Sequence, residues 1–270
     1  MNKFIIPFYY TFYTRIKGKS KRIAYIFTFI LPIYIYIIAF NRSFTLVDFI
    51  ASILGFIGLM SVYEVGYINN DVITIQYEKN PTLRLKEDEI LYARERIGKI
   101  RFIKYIISLI VIGILGALNC NYIYYTVGLI LIYIVYLAHN KVRDKKSIIT
   151  FFFLSILRYI TVPLMFSYSL NMKVDKGLNL YISIVLFILI IALPRTIEKA
   201  AEKKYNISSL EIIKKKTTEF RVIYYILGSL VGVGLAIGGF GYSYLVLSLY
   251  YLSYRLLIWI GFVVKERKSV

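Results

Sequence analysis

Long apolar runs alternate with short charged segments along the whole chain. About 20 mostly apolar residues cross the ~30 Å hydrocarbon core of a bilayer as a helix, and roughly eight runs reach that length. The pattern therefore predicts an all-α, polytopic integral membrane bundle of about eight transmembrane helices, with residues 1–270 forming a single domain. We place the runs at residues 22–41, 45–68, 102–119, 122–138, 149–168, 178–194, 222–240 and 243–263.

Lysine and arginine collect on one side of these runs. Counted by alternate segments, 29 of them fall on one side and three on the other. Because basic residues concentrate in cytoplasmic loops, we expect both termini to be cytoplasmic, together with the two longest loops, residues 69–101 and 195–221. A bacterial cytoplasmic membrane is the expected location.

Composition agrees with a protein that uses the bilayer as its solvent. The chain is 59% hydrophobic, yet its formal net charge is +19. The charges form clusters between apolar runs, so nucleic acid is not the expected partner. One cysteine and one histidine leave no Cys/His metal framework. Residues 1–21 mix basic and apolar positions and predict an amphipathic segment on the bilayer surface, with a disordered basic arm as the alternative.

The two long loops follow the second and the sixth runs, four runs apart, and both are expected on the same face. This spacing predicts two four-helix pseudo-repeats. The alternative interpretation is that long basic loops only set the orientation of the chain in the membrane. Acidic residues embedded in both loops favour a further role for them.

Acidic residues in the first loop fall on one helical stripe. If the second helix continues to residue 78, Glu64, Asp71 and Glu78 repeat every seven residues, with Tyr67 and Thr74 on the same side. The stripe is expected to line the bundle interior. An ionisable group such as Glu64 inside a span indicates function by default, and the alternative is that Glu64 is hydrated at the interface.

The second loop carries Glu198 and Glu202, four residues apart and so adjacent on a helical face. Such spacing is also common on solvated helices, which is the alternative interpretation. Because both loops leave their spans on the same face, the two sets of carboxylates are expected to meet across a cavity. Carboxylates surrounded by Lys and Arg suit a diphosphate that carries Mg²⁺, which prefers oxygen ligands shared between carboxylate and phosphate.

At these residues the chain resembles the UbiA superfamily of membrane prenyltransferases. That family carries an N-D-x-x-D-x-x-x-D motif after its second span and D-x-x-x-D after its sixth. Asn70, Asp71, Thr74 and Glu78 line up with the first motif, with Thr74 in place of the middle aspartate and Glu78 in place of the last. The family typically has nine spans.

The resemblance implies an activity and a site. Glu198 and Glu202 stand in the place of the second motif, with Glu in place of both aspartates. The implied Mg²⁺ ligands are Asp71, Glu78, Glu198 and Glu202, and the implied catalytic residues are Asp71, Glu78 and Asn70. A prenyl diphosphate would be ionised there, and a small aromatic or lipid acceptor would capture the prenyl cation.

Basic and aromatic residues near the two loops are candidates for binding the substrate. They are Lys79, Arg84, Lys141, Arg143, Arg158 and Tyr67. Lys141 and Arg143 have the alternative role of cytoplasmic anchors. Arg158 lies within the fifth run, where it needs a carboxylate, a phosphate or backbone carbonyls, and Glu64 is one candidate partner.

Two hypotheses about function follow. The first is a UbiA-like transferase that moves a prenyl group from a diphosphate to a hydrophobic acceptor with Mg²⁺. The second is a catalytically degenerate membrane protein that binds polyprenyl or anionic lipid headgroups, or acts as a transporter or assembly factor. The missing aspartates favour the second hypothesis.

Overall fold

The computed structural model describes residues 2–40, 44–77, 81–142, 144–166, 180–239 and 241–267. These residues contain helices and no strand, so the prediction of an all-α fold is confirmed. The helices are α1 (Asn2–Ile5), α2 (Tyr9–Thr14), α3 (Lys19–Tyr25, a π-helical turn Ile26–Ile30, then Leu31–Phe40), α4 (Leu46–Val72), α5 (Glu87–Glu95), α6 (Ile97–Ala117), α7 (Tyr122–Lys141), α8 (Ser147–Leu164), α9 (Leu180–Phe187, a π-helical turn Ile188–Ala192, then Leu193–Ala200), α10 (Glu211–Lys215), α11 (Thr217–Ile237) and α12 (Ser243–Arg267).

Seven helical segments among the described residues are long and apolar enough to cross a membrane. They belong to α3, α4, α6, α7, α8, α11 and α12. This result confirms a helical membrane bundle, although with seven such segments where eight were predicted. The predicted run at 178–194 lies partly outside the described residues, and helix α9 covers the rest.

Helix α4 forms the centre of the bundle, because small residues let its neighbours approach closely. A Cβ atom built on Gly58 would lie 2.5 Å from the Tyr125 hydroxyl oxygen, and one built on Gly66 would lie 2.4 Å from the Tyr136 ring. Tyr125 uses this proximity to donate a hydrogen bond to the Gly55 carbonyl at 2.7 Å. The close contacts fix α7 against α4.

The two π-helical turns hold the C-terminal hairpin, which is formed by α11 and α12. A π-turn shifts the backbone hydrogen bonds of a helix and is often found at functional sites. Carbonyls of the α3 turn accept hydrogen bonds from α12, and those of the α9 turn accept them from α11. The pairs are Tyr250 to Phe27 at 2.6 Å, Tyr251 to Thr28 at 3.0 Å, Tyr225 to Ile190 at 3.0 Å, and Tyr224 to Leu189.

The N-terminal segment docks on the protein, and its predicted position on the bilayer surface stays a prediction. Helices α1 and α2 pack on the end of α4, where Phe4 and Tyr10 are buried in a cluster with Ile68 and Val72. The physical reason is that the aromatic side chains find an apolar surface within the protein itself. Helices α1 and α2 cover one end of the bundle. We call this end of the bundle the charged end.

Gly232 of α11 offers a test of the hairpin packing. A Cβ on Gly232 would lie 2.7 Å from the backbone Cα of Leu245, whereas one on Gly234 would meet no atom within 4 Å. We therefore expect Gly232→Ala to lower the free energy of unfolding by about 1–3 kcal/mol relative to Gly234→Ala. The reason is that the backbone at Leu245 must move to make room for the new methyl group. Unfolding in detergent measures both variants. Equal stability of the two would contradict the packing.

Candidate functional site

Asp71 lies at the charged end and is 1% exposed. One carboxylate oxygen, Oδ1, accepts hydrogen bonds from Arg15 at 2.9 Å and Arg84 at 3.2 Å, while Oδ2 accepts one from Tyr10 at 2.8 Å. Asn70, the neighbour in the predicted motif, donates to Oδ1 at 3.3 Å. Two guanidinium groups therefore neutralise this carboxylate inside the protein.

The helix that carries Asp71 ends earlier than predicted. Helix α4 stops at Val72 and a 3-10 turn, Thr74–Tyr77, follows it. Arg94 donates to the Val72 carbonyl at 3.2 Å, and such cations satisfy the free carbonyls at helix ends. The prediction of one stripe that continues to residue 78 is therefore wrong beyond Val72. Glu78 and Lys79 themselves lie outside the described residues.

Glu64 is fully buried and forms an ion pair with Lys104 of α6, which is also fully buried. The backbone N–H of Thr11 donates to Glu64 at 2.8 Å. Lys104, which the sequence analysis did not single out, is therefore the cation that compensates Glu64. The suggested pairing of Glu64 with Arg158 is wrong, because α6 places a lysine beside Glu64.

Arg158 lies in an aromatic cage inside the bundle and forms no ion pair with a described carboxylate. The centre of its guanidinium is 4.3 Å from the Phe29 ring and 4.9 Å from the Tyr63 ring. It donates to the Tyr25 hydroxyl at 2.8 Å, and its Nε is buried without a hydrogen-bond partner. Cation–π contact with three rings stabilises the charge.

The second pair of predicted acids lies at the end of α9. Arg221 donates to both oxygens of Glu198, at 2.6 and 2.7 Å. Lys199 donates to both oxygens of Glu202, at 2.9 and 3.0 Å. Both acids are partly exposed and line a cavity of about 600 Å³, whose lining does not include Asp71.

Of the carboxylates predicted to bind Mg²⁺, those within the described part of the chain have protein partners. Asp71, Glu198 and Glu202 are each paired with cations of the chain, as given above. No group of three His, Cys, Asp or Glu residues within the described ranges is placed to hold a metal ion. Because Mg²⁺ requires oxygen ligands in near-octahedral geometry, the carboxylates as arranged serve as partners for Arg and Lys.

The cavity lies between the C-terminal hairpin and helices α3, α8 and α9. Basic side chains dominate its charged lining, and tyrosines supply much of the rest. Five cations face two acids, which leaves an excess of three positive charges. The cations are Arg195, Lys199, Lys214, Arg221 and Arg255, and the tyrosines are Tyr159, Tyr225, Tyr251 and Tyr254.

None of the five cations of this cavity was predicted from the sequence to be functional, and Arg255 is one of them. It lies within the membrane-crossing part of α12, and its Nε is buried without a hydrogen-bond partner. Arg195 reaches the same cavity and donates to the Tyr159 hydroxyl at 2.7 Å. A charged residue within an apolar run was the available signal for Arg255.

The remaining predicted substrate-binding residues occupy different places. The ring of Tyr67 lies 4.4 Å from the centre of the Arg15 guanidinium, next to Asp71. Lys141 is exposed at the end of α7 and does not line the cavity. Arg143 lies outside the described residues. Of the predicted set, Tyr67 and Arg84 are the ones found near Asp71 within the described ranges.

Comparison with known proteins gives no family for this arrangement. No protein-family model, no curated protein and no solved structure matches the chain. The resemblance to the UbiA superfamily rests on the residues of the two loops and stays a proposal.

The buried pair of Glu64 and Lys104 predicts a coupled effect on stability. Glu64→Gln leaves the Lys104 ammonium buried without its counter-charge, so we expect a loss of about 3–5 kcal/mol in the free energy of unfolding. The double variant Glu64→Gln/Lys104→Met should recover most of that loss. Detergent unfolding measures the cycle, with the exposed Glu95→Gln as control. If the double variant lost as much unfolding free energy as the two single variants, Glu64→Gln and Lys104→Met, lose together, the pairing would be contradicted.

Glu89 lies on α5, and its contacts lead us to expect that the folding stability of the protein depends on pH. Burial raises the pKa of Glu89, but hydrogen bonds from Lys3, Tyr13 and the Lys86 backbone outweigh it and lower the pKa from 4.5 to about 2. A lowered pKa in the folded state stabilises the protein above pH 4.5, and this stability is lost as the pH falls toward 2.

The measurement is the melting temperature as a function of pH. The difference in melting temperature between wild type and Glu89→Gln should be constant above pH 5 and should shrink between pH 4.5 and 2. Glu95→Gln, which removes an exposed partner of Arg96, is the matched control and should show no such change. A difference that stays constant down to pH 2 would rule out the Glu89 contribution.

Proposed function

We propose that the protein binds the phosphate-bearing headgroup of an anionic lipid in the cavity between its C-terminal hairpin and helices α3, α8 and α9. The observation that carries this proposal is the excess of cations in a cavity of about 600 Å³, including Arg255 with its unpartnered Nε. Arginine binds phosphate oxygens through two parallel N–H donors, and this geometry suits a phosphate group.

The cations of the cavity are not equally available. Arg221 forms an ion pair with Glu198, and Lys199 forms one with Glu202. The charges of these two cations are therefore compensated within the protein. Arg195, Lys214 and Arg255 are left as the excess charges, and none of them forms an ion pair with a described carboxylate. A bound phosphate would supply the missing negative charge in a region where unbalanced charge is costly.

The surroundings of the cavity favour a lipid over a soluble anion. Ala24, Ile191 and Ile258 add apolar surface to the lining. Beside them on α12, Leu257 and Ile260 are exposed on the outer surface of a helix long enough to cross the membrane. Acyl or prenyl chains could extend along this surface while the headgroup remains among the arginines.

Prenyl transfer is the second candidate function. It is favoured by the position of Asp71 and Asn70 at the charged end, beside Arg84, as the resemblance to the UbiA superfamily implies. Asp71 would have to exchange its arginine partners for a metal ion, so we derive no catalytic step from the present arrangement. Diphosphate release from a prenyl diphosphate is the reaction that separates transfer from binding.

Arg255→Gln tests the lipid-binding proposal. Fluorescent phosphatidylglycerol is titrated into the purified protein in zwitterionic micelles, with fluorescent phosphatidylcholine as the reference lipid. We expect phosphatidylglycerol to bind more tightly, and Arg255→Gln to weaken that binding about tenfold or more, because a hydrogen bond to a charged group is lost.

Arg22→Gln is the matched control, because Arg22 is exposed and does not line the cavity. Its affinity for phosphatidylglycerol should equal that of the wild type. Equal binding of the two lipids, or equal loss in both variants, would refute the proposal. Diphosphate release in a parallel incubation with a prenyl diphosphate and Mg²⁺ would favour the transferase instead.

A further inference from the structure

The N-terminal segment, residues 2–15, contacts three carboxylates that lie on two other helices. Arg15 and Tyr10 donate to Asp71, and the backbone N–H of Thr11 donates to Glu64, both on α4. Lys3 and Tyr13 donate to Glu89 on α5, Tyr13 at 2.7 Å. Asp71 and Glu64, which the sequence offers as a metal ligand and an interior group, thus hold a part of the chain itself.

The same segment is also held by apolar packing. Helices α1 and α2 have four and six residues, too short to be stable alone. Phe4 and Tyr10 lie in the buried cluster, and Phe8 and Phe12 pack against the main hydrophobic core, while Ile6 and Tyr9 face outward and are 47% and 48% exposed. Docking of the segment therefore combines these apolar contacts with the contacts to the three carboxylates.

Two features of the docked state indicate that the segment can leave as a unit. Gly18, which joins it to α3, has φ +93° and open space around its Cα, so the backbone can turn there. Arg15 Nη1 and Thr11 Oγ1 are buried without hydrogen-bond partners. Unsatisfied polar atoms lower the stability of the docked state relative to an undocked state in which water solvates them.

We propose that residues 2–15 form a lid on the charged end, with Asp71 and Arg15 as its latch. When the lid is docked, the Arg15 guanidinium takes the position beside Asp71 that an external cation would need. When the lid is undocked, Asp71 keeps Arg84 as its cation, and Tyr67 loses the guanidinium stacked on its ring. In this chain Asp71 therefore acts first as a docking point for the lid.

Cysteine labelling tests the lid in the full-length protein, reconstituted in nanodiscs. Cys120→Ser removes the single native thiol, and Thr11→Cys, a change of similar size at a position 1% exposed, reports on docking. A water-soluble maleimide should label this cysteine slowly. Adding Arg15→Gln or Asp71→Asn should raise the labelling rate about tenfold, because a charged hydrogen bond of the latch is removed.

Two controls distinguish lid opening from general loosening of the fold. Arg96→Gln removes an exposed arginine of the same end and should leave the labelling rate unchanged. Ser229→Cys, buried in α11, should stay slow to react in the Arg15→Gln background. Arg15→Gln keeps the Asp71–Arg84 pair, so it supplies a result even if Asp71→Asn does not fold.

Unchanged labelling of Thr11→Cys in Arg15→Gln would overturn the proposal. Equal acceleration at positions 11 and 229 would also overturn it, because the segment would then not move as a separate unit. Acceleration at position 11 alone supports the lid. This outcome is independent of lipid binding in the cavity, which does not involve Arg15 or Asp71.

Discussion

A bilayer offers no hydrogen bonds to the backbone, so the backbone polar groups of the membrane-spanning helices must find their partners inside the protein. The C-terminal hairpin shows how the chain meets that constraint. The π-turns of α3 and α9 offer carbonyls to neighbouring tyrosines, and the adjacent pairs Tyr224–Tyr225 and Tyr250–Tyr251 fill them. Hydrogen bonds that satisfy the backbone thereby also fix the hairpin beside the cavity, and so they shape the candidate binding site.

Charged side chains of the bundle also need partners inside the protein, and the acidic and basic residues differ in the partners they have. Glu64, Asp71 and Glu198 each have a basic partner, whereas neither Arg158 nor Arg255 forms an ion pair with a described carboxylate. Arg158 is stabilised by aromatic faces. The Nε atom of Arg255 is buried without a hydrogen-bond partner, and Arg255 lines the cavity. The proposed affinity of the cavity for anions therefore rests on its excess of cations, because Glu198 and Glu202 are already paired.

The sequence predicted the membrane helices well, because apolar runs of the required length have few other solutions. The predicted run 45–68 agrees with α4, Leu46–Val72, and the run 122–138 agrees with α7, Tyr122–Lys141. Burial of α1 and α2 was not predictable from periodicity, since the apolar surface that receives Phe4 comes from distant segments. The π-turns left no recognisable pattern in the apolar runs either.

The partners of the candidate residues were harder to predict than the residues themselves. Asp71 and Glu64 were identified because a carboxylate near or inside a span needs compensation, but sequence order does not reveal by what. A metal ion, an arginine 56 residues away and a lysine 40 residues away are equally consistent with such a carboxylate. An acidic motif therefore specifies the need for a positive charge, and the three-dimensional packing decides its source. Arg15 follows the short helix α2, which docks on the end of α4, whereas Lys104 lies within the long helix α6, so the proposed lid would make the charge beside Asp71 easier to exchange than the one beside Glu64.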